Sequence, residues 1–474
     1  MPRPTRRVPV IAAATLALAS VLATGPQIPA SAATTVTVNG ATTFQKIEGF
    51  GISEAFGMAN AIRGLGATAR QQALDLLFST TNGAGFSILR NGIPSGSDSI
   101  EPRSPGSPSA TPTYVWNPNS DATDQGQLWL AKQAKNTYGV TNFYDNAWAP
   151  PGYMKTDGSD SGRGPLCGVP GATCASGDWR QHYANYLVQH AKFWASAGLT
   201  PSATGFVNEP SQGSGFGSMQ FTPAQAVNFL SVLGPAMKAS GLPTKIACCD
   251  LLGFNQLPSY VSAVTGNAAA NAATGLFTAH GYSGAPTSPV STGGRSVWQS
   301  EWSVNGNTWD GSWDGGGPAD GFHWAQQVHT ALAGANVNAF LYFWGISTTS
   351  HDSSLIGLRG STLTPAKRYY ALANYSRFIR PGATRISATG SGSLAASAYR
   401  NPDGSVVVVL LNSGTGSVAT TVATTGTGLT SGTVTPYLTN SGSSTAAQPT
   451  IGLANGAFSA TVPARSLVTY RITR

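Results

Sequence analysis

A chain of 474 residues with 57 Gly, 30 Pro and only 10% charged residues carries less than half of the roughly 25% charge usual in globular domains. Its 41% hydrophobic content, with 11 Trp, 15 Tyr and 18 Phe, still supplies a large core, which excludes intrinsic disorder. The formal net charge of +8 contains no Lys/Arg run, which excludes a nucleic-acid-binding stripe.

Along the chain, Arg3, Arg6 and Arg7 precede an apolar, Ala-rich run over 8–25 and the small-residue triplet Ala30-Ser31-Ala32. That order predicts a secretory signal peptide over residues 1–32. The run is modest for a membrane anchor, and no later stretch is long and apolar enough to span a bilayer. Removal of the leader takes three positive charges and no acid with it, leaving a net charge near +5. An oxidising compartment makes the four cysteines readable as disulfides. Cys167 and Cys174, in a Gly/Pro loop, are expected to pair; the adjacent Cys248 and Cys249 have bridging, free-thiol and cross-paired alternatives.

Eight short apolar, β-rich runs follow at 47–53, 86–93, 141–151, 201–210, 245–250, 275–283, 296–303 and 339–347. Amphipathic helical patterns lie between them at 68–79, 125–139, 179–198, 222–240, 320–335 and 364–378, with a weaker one at 258–266. Only the crossover after the sixth run lacks one. Eight strands with helical crossovers predict an α/β fold, a (β/α)8 TIM barrel over residues 46–380 whose chemistry sits at the C-terminal strand ends. Beyond Pro381 the texture turns to Ser/Thr/Gly-rich alternation, with runs at 393–399 and 405–412 around Asn401-Pro402-Asp403-Gly404. This predicts an antiparallel side β domain over 381–474, and residues 406–411 are too apolar for a disordered linker. The Thr/Val alternation at 34–39 assigns segment 33–45 to the same domain, as a strand pairing with the C-terminal ones.

Acids are scarce, so their positions carry information. Glu209 closes the fourth run in Asn208-Glu209-Pro210, and Glu301 closes the seventh in Ser300-Glu301-Trp302. In a parallel barrel both face one rim, where one carboxyl can protonate a leaving oxygen while the other, ionised, attacks or stabilises an anomeric carbon. A single such Glu would read as a salt-bridge partner; two at matching strand ends read as a catalytic pair. Trp148 and Tyr153 follow the third run, His280 and Tyr282 end the sixth, and Trp344 ends the eighth. Each could be core, but together they form the flat apolar lining on which sugar C–H faces rest. Arg90, closing the second run, is placed to brace a carboxylate. No Gly-x-Ser-x-Gly, His-Glu-x-x-His or phosphate-binding glycine loop occurs, and His182 and His190 read as helix surface or packing residues, so neither a metal nor a cofactor is expected.

Phe44-Gln45-Lys46-Ile47-Glu48-Gly49-Phe50-Gly51, Ser53-Glu54-Ala55-Phe56, the segment 148–155, Asn208-Glu209-Pro210, Glu301-Trp302, Lys367-Arg368-Tyr369-Tyr370-Ala371-Leu372 and Tyr375-Ser376-Arg377-Phe378-Ile379-Arg380-Pro381-Gly382 together resemble glycoside hydrolase family 30. Cys167, Cys174 and the following Ala175-Ser176-Gly177-Asp178-Trp179-Arg180 are most similar to the fungal-type xylanase branch. The resemblance implies a secreted, retaining endo-1,4-β-xylanase acting as a monomer on plant cell-wall xylan, with no membrane or nucleic-acid partner. It implies Glu209 as acid/base and Glu301 as nucleophile, with carboxyl groups about 5–5.5 Å apart. Asn208 would contact the sugar beside the nucleophile, and Trp148, Tyr282 and Trp344 would shape the subsites. Where glucuronate-requiring members place an arginine, this chain has Gly57-Met58-Ala59-Asn60; Arg63 and Arg359 are the nearest substitutes, so dependence on glucuronate is expected to be relaxed. The alternatives are an endo-β-1,6-galactanase and a non-catalytic carbohydrate-binding protein, which product release from a polysaccharide panel separates.

Overall fold

In the computed structural model, residues 1–2, 34–117, 125–212, 215–304, 306, 308–349 and 351–474 are described; all but the first two residues of the expected signal peptide fall outside them. Two sheets organise residues 34–474, which form one compact unit.

The first sheet is a closed barrel. After strand β1 (Thr34–Lys46), its eight strands are β2 (Gly49–Ser53), β3 (Ile88–Ile93), β4 (Asn142–Ala147), β5 (Ala203–Gly205), β6 (Lys245–Leu251), β7 (Thr274–His280), β8 (Ser296–Glu301) and β9 (Ala339–Ser347). Consecutive strands pair in parallel and β9 pairs with both β8 and β2, closing the ring. Helices α1 (Met58–Arg63), α2 (Ala67–Phe78), α3 (Gln127–Tyr138), α4 (Arg180–Ser196), α5 (Pro223–Ala239), α6 (Leu257–Thr265), α7 (Ala268–Ala273), α8 (Gly321–His329) and α9 (Lys367–Ser376) form the outer layer. The β7–β8 crossover carries no helix among the described residues. Local chemistry fixes several of these ends. Thr222 and Gln225 form a reciprocal capping box at the start of α5, where Pro223 costs no needed N–H. Gly139 ends α3 in the left-handed conformation. Inside the barrel, small Ala203, Ala247 and Ala339 leave room for Tyr144 and Trp298, whose rings meet edge to face at 5.8 Å. Glu48 closes the bottom, accepting from Ser296 Oγ and Trp298 Nε1, both at 2.5 Å.

A hairpin of β10 (Ser354–Arg359) and β11 (Thr362–Pro365) extends β9. The second sheet takes β12 (Thr384–Thr389), β13 (Leu394–Arg400), β14 (Val406–Asn412), β15 (Val418–Thr425), β16 (Gly432–Thr439), β17 (Ala446–Ala447), β18 (Ile451–Leu453), β19 (Ala457–Val462) and β20 (Ser466–Thr473). Strand β1 lies within it, antiparallel to β12 and parallel to β15. Val36 and Val38 enter the same core as Val408, Leu410 and Phe458. All seven residues of β14 are buried because its other face packs on the barrel layer, through Val407, Val409 and Leu411.

Asn374 of α9 is a hydrogen-bonding centre of that interface. Its Nδ2 donates to Tyr437 O at 3.0 Å and Thr469 Oγ1 at 3.1 Å, and its Oδ1 accepts from the Thr439 and Thr445 hydroxyls. Asn374→Ala strands several buried polar groups at once, so we expect a loss of about 2–3 kcal/mol in chemical unfolding; an unchanged midpoint would show that water satisfies them.

The sequence periodicity overran several ends. The fourth run, 201–210, contains only the three-residue β5, and helix α8 gives way at Thr330 to the π-helical turn Thr330–Gly334. Helix α1, only six residues long, is too short for an apolar period to be read beforehand.

Candidate active site

The polar groups at the C-terminal strand ends are built around one buried arginine. Arg90 on β3 is fully buried; its Nη1 donates to Glu301 Oε2, and its Nη2 donates to both Asn208 Oδ1 and Asp250 Oδ2 at 2.7 Å. Its aliphatic and π surfaces are used too, with the guanidinium 4.4 Å from the Trp148 ring centroid. Burial opposes its charge, but the Asp250 and Glu301 carboxylates outweigh that and raise its pKa. Asp250, at the end of β6 in a left-handed conformation (φ 45°), also accepts from Ser300 Oγ at 2.7 Å, and its N–H donates to Thr278 Oγ1 at 2.9 Å. Burial would raise its pKa, yet Arg90 and His280 hold it below the usual carboxylate range.

Glu209 does not end a strand. It lies four residues beyond β5, in the left-handed region (φ 47°), with its N–H donating to Asp250 O at 2.8 Å. That backbone conformation turns the side chain toward β8, where Glu301 is the last residue. The nearest carboxylate oxygens of Glu209 and Glu301 and a ring nitrogen of His280 all lie within 4.8 Å of one another. His280 Nδ1 is 3.0 Å from Glu209 Oε1 and 3.9 Å from Glu301 Oε1, and its Nε2 is 3.8 Å from Asp250 Oδ2, an ion-pair distance only. Burial lowers the imidazole pKa, but the Glu301 charge and the Asp250 and Glu209 partners carry it up to about 9. Both ring nitrogens therefore hold protons at neutral pH, and Nδ1–H donates to Glu209. Tyr282 donates its hydroxyl to Glu301 Oε1 at 2.9 Å. Its own pKa is pushed up by burial and by the Glu301 charge, so it stays a donor.

Glu209, His280 and Glu301 are the metal-like donor set among the described residues. Arg90 on Glu301 and the protonated His280 already supply the cationic partners, and a metal ion would have to displace both.

Trp148, Asn208, Glu209, Tyr282, Glu301 and Trp344 line one cleft of about 340 Å³. Trp344 is stacked on Phe343 at 4.3 Å. His280 and Arg90 sit beneath that cleft, fully buried, and not on the sugar-facing rim. Tyr153 is not brought in; it packs edge to face on Trp179 at 5.3 Å and donates to Glu101 O at 3.2 Å. His182 and His190 are buried packing residues of α4, His182 bonding Glu101 at 2.9 Å. Cys167 pairs with Cys174 and Cys248 with Cys249. Arg63 and Arg359 do not line this cleft.

Three features escaped the sequence reading. Asp250 satisfied the same rule that singled out Glu209 and Glu301, an acid closing a β-run, and was passed over. Phe56 and Phe216, 43% and 41% exposed, flank the cleft from loops that no periodicity marks. Glu54 is buried after β2 and accepts from Ile346 N at 2.7 Å, tying the ends of β2 and β9 together; burial pushes its pKa well up, against the backbone hydrogen bonds from Ile346 and Gly345.

The glycosyl hydrolase family 30 TIM-barrel domain matches residues 47–295, over half of the chain, and the family's beta sandwich domain matches residues 382–470. The chain belongs to glycosyl hydrolase family 30. The catalytic domain of a GH30 xylanase C from Talaromyces cellulolyticus superposes with a TM-score of 0.87 at 39% identity, over 93% of this chain and 100% of that one. A family 30 subfamily 8 xylanase from Clostridium acetobutylicum shares the fold, with a TM-score of 0.73 at 24% identity over 93% and 100%. Among curated proteins, an endo-1,6-beta-D-glucanase of Trichoderma harzianum is 26% identical over 413 residues, 78% of each chain.

The family 30 hydrolase carries a pH signature in His280. Its pKa is raised from an ordinary 6.5 to about 9 in the fold, so the stability it contributes is complete below about 6.5 and is lost as pH rises through about 9. The shift corresponds to about 3 kcal/mol. Chemical unfolding between pH 6.5 and 9 should show that decline, and His280→Gln should flatten it. An equal slope in the variant would assign the decline elsewhere.

Proposed function

We propose that this family 30 hydrolase is a secreted, retaining endo-1,4-β-xylanase in which Glu301 is the nucleophile and Glu209 the acid/base. The observation that carries the mechanism is the approach of the two carboxylates within 4.8 Å. That fits the spacing of about 5–5.5 Å between carboxyl groups for direct attack and is shorter than the roughly 6.5–9.5 Å of an inverting enzyme. Glu301 Oε attacks the anomeric carbon as the glycosidic C–O bond breaks and Glu209 gives its proton to the leaving oxygen. Glu209 then takes a proton from water, whose oxygen displaces Glu301 and restores both groups. Arg90 and Tyr282 hold Glu301 oriented for attack.

Xylan as the substrate is supported by the 39% identity to the Talaromyces xylanase. No arginine lines the catalytic cleft among the described residues, which favours relaxed dependence on glucuronate. Two disulfides favour an extracellular setting. A second reading, cleavage of β-1,6-glucan, is favoured by the 26% identity to a curated endo-1,6-glucanase. Hydrolysis of unbranched xylan, arabinoxylan, glucuronoxylan, β-1,6-glucan and β-1,6-galactan, with products sized and their anomeric configuration followed by NMR, decides among them. Retained short xylo-oligosaccharides are expected; inverted product would defeat the mechanism, and release from only a β-1,6-linked polymer would defeat the xylan assignment.

A further inference from the structure

Among the described residues Lys155 is the only buried lysine, and it takes no part in the chemistry above. It follows the short turn Gly152–Met154 beyond β4, and its side chain is fully enclosed, 0% exposed. The three protons of its ammonium are matched by three backbone carbonyls. Nζ donates to Ser159 O at 2.6 Å, Gly162 O at 2.7 Å and Ser218 O at 2.6 Å. Asp157 Oδ1 stands 3.6 Å away, and with Asp160 it supports the charge that burial opposes. Carbonyl oxygens converging on one point can replace the hydration shell of a bare cation; here the cation is covalently attached. The carbonyls come from two segments with no helix or strand among their described residues. Segment 156–165 is a surface loop carrying Gly158, Gly162 and Gly164, pinched at its base by the bridge between Lys155 and Leu166. Segment 210–221 leaves Glu209 and returns where Phe221 N donates to Pro210 O at 3.1 Å. The two meet through Ser218 N to Asp160 O at 2.8 Å, Gln220 N to Arg163 O at 3.2 Å and Ser218 Oγ to Gly162 O at 3.1 Å. Phe216, two residues before Ser218, lines the catalytic cleft. Gly217 between them passes so close to Trp148 that an added Cβ would stand 3.2 Å from the Trp148 Cβ.

We propose that Lys155 is a positioning residue: its ammonium serves as a tethered cation in a three-carbonyl cage that fixes segment 216–221 and so holds Phe216 as a wall of the catalytic cleft. Removing the charge leaves three inward-turned carbonyls without a donor. The surface loop 156–165 relieves this by turning outward, which withdraws Asp160 O and Arg163 O from Ser218 and Gln220. Phe216 then meets the substrate only part of the time. Binding suffers while the carboxylate pair does not, because Glu209 is held separately by Asp250 O and His280. The inference rests on the glycosidase reading of the cleft, not on which polymer is cut.

The test compares the full chain with Lys155→Met, Lys155→Ala, Phe216→Ala and the combination of Lys155→Met with Phe216→Ala. Hydrolysis is followed on xylo-oligosaccharides and β-1,6-gluco-oligosaccharides, and amide hydrogen exchange is followed on peptides covering 210–222 without substrate. Lys155→Met is expected to raise KM about tenfold with kcat within about threefold of the parent, and to speed exchange at Ser218 and Gln220 about tenfold or more. Phe216→Ala should give a similar rise in KM, and the combination should add less than about twofold to either single change, as coupled residues do. In Lys155→Ala, ammonium or potassium chloride should recover about half or more of the lost affinity, where lithium or tetramethylammonium chloride at equal ionic strength does not. A variant too unstable to assay is compared through its unfolding midpoint, which ammonium should raise and tetramethylammonium should not. A fall in kcat with KM unchanged, exchange over 210–222 no faster than in the parent, additive losses in the combination, or an equal response to every salt overturns the proposal. If no oligosaccharide is cut, the glycosidase reading fails, and hydrogen exchange with the salt-selective midpoint still decides the cage.

Discussion

Glu301→Gln will lower kcat by about 10⁴-fold or more, equivalent to about 5.5 kcal/mol of transition-state stabilisation, in a protein that still folds although Arg90 and His280 lose one charged partner. The loss follows from removing the only atom placed to form a covalent bond at the anomeric carbon: Glu301 Oε2 is bonded to Arg90 and Oε1 to Tyr282, so the amide that replaces it remains seated but no longer attacks. The side chain is 7% exposed at the cleft floor, and the substitution conserves its volume. A small external nucleophile such as azide should not rescue this variant, because the amide still fills the space; it should rescue Glu301→Gly, forming the glycosyl azide of inverted configuration. Activity of Glu301→Gln within tenfold of the parent would end the assignment of the nucleophile.

Arg90→Met is expected to destabilise the fold by about 3–5 kcal/mol and to abolish activity, because it leaves Asp250 and Glu301 as uncompensated charges in a buried cluster. Arg90→Lys should fare little better, since a single ammonium cannot serve Glu301, Asn208 and Asp250 from the two ends of one planar fork. Adding Asp250→Asn to Arg90→Met should recover part of the unfolding free energy without recovering turnover. This separates the cost of the stranded carboxylate from the loss of orientation at Glu301. If the double variant is no more stable than the single one, Asp250 is not what Arg90 neutralises.

The barrel was legible because each strand is a short apolar run buried on both faces, and the eight runs from 47–53 to 339–347 overlap all eight strands. The two glutamates were legible because a protein this poor in acids leaves few other reasons for a carboxyl at a β-run's end. What escaped depends on tertiary geometry. Glu209 reads as the end of a strand, yet β5 is three residues long and a left-handed backbone at Glu209 itself aims the side chain. Aromatic identity cannot distinguish Tyr282, which reaches Glu301, from Tyr153, which turns away to Trp179. His280 reads as a sugar-facing ring by its position, but successive residues of a strand alternate in direction, and here the ring of the last residue of β7 is buried among three carboxylates. Phe56 and Phe216 sit on loops, whose conformations follow no period.

The place of β1 between β12 and β15 sets an order on how the molecule comes into being. Thr34 bonds Thr420 across 386 positions of sequence, so this strand emerges first and finds its neighbours last. While the barrel is being made, Val36 and Val38 have no sheet to enter. A chain released N-terminus first carries an unpaired, alternating strand until nearly all of it has followed, and long-range pairing of this kind is slow. The run Thr34–Asn39 is mostly Thr and Val with no charge, a segment prone to pair with a second chain. The yield of folded protein should therefore be governed by how quickly the last ninety or so residues follow the first, and holdase capacity should matter more for this protein than the stability of the finished barrel.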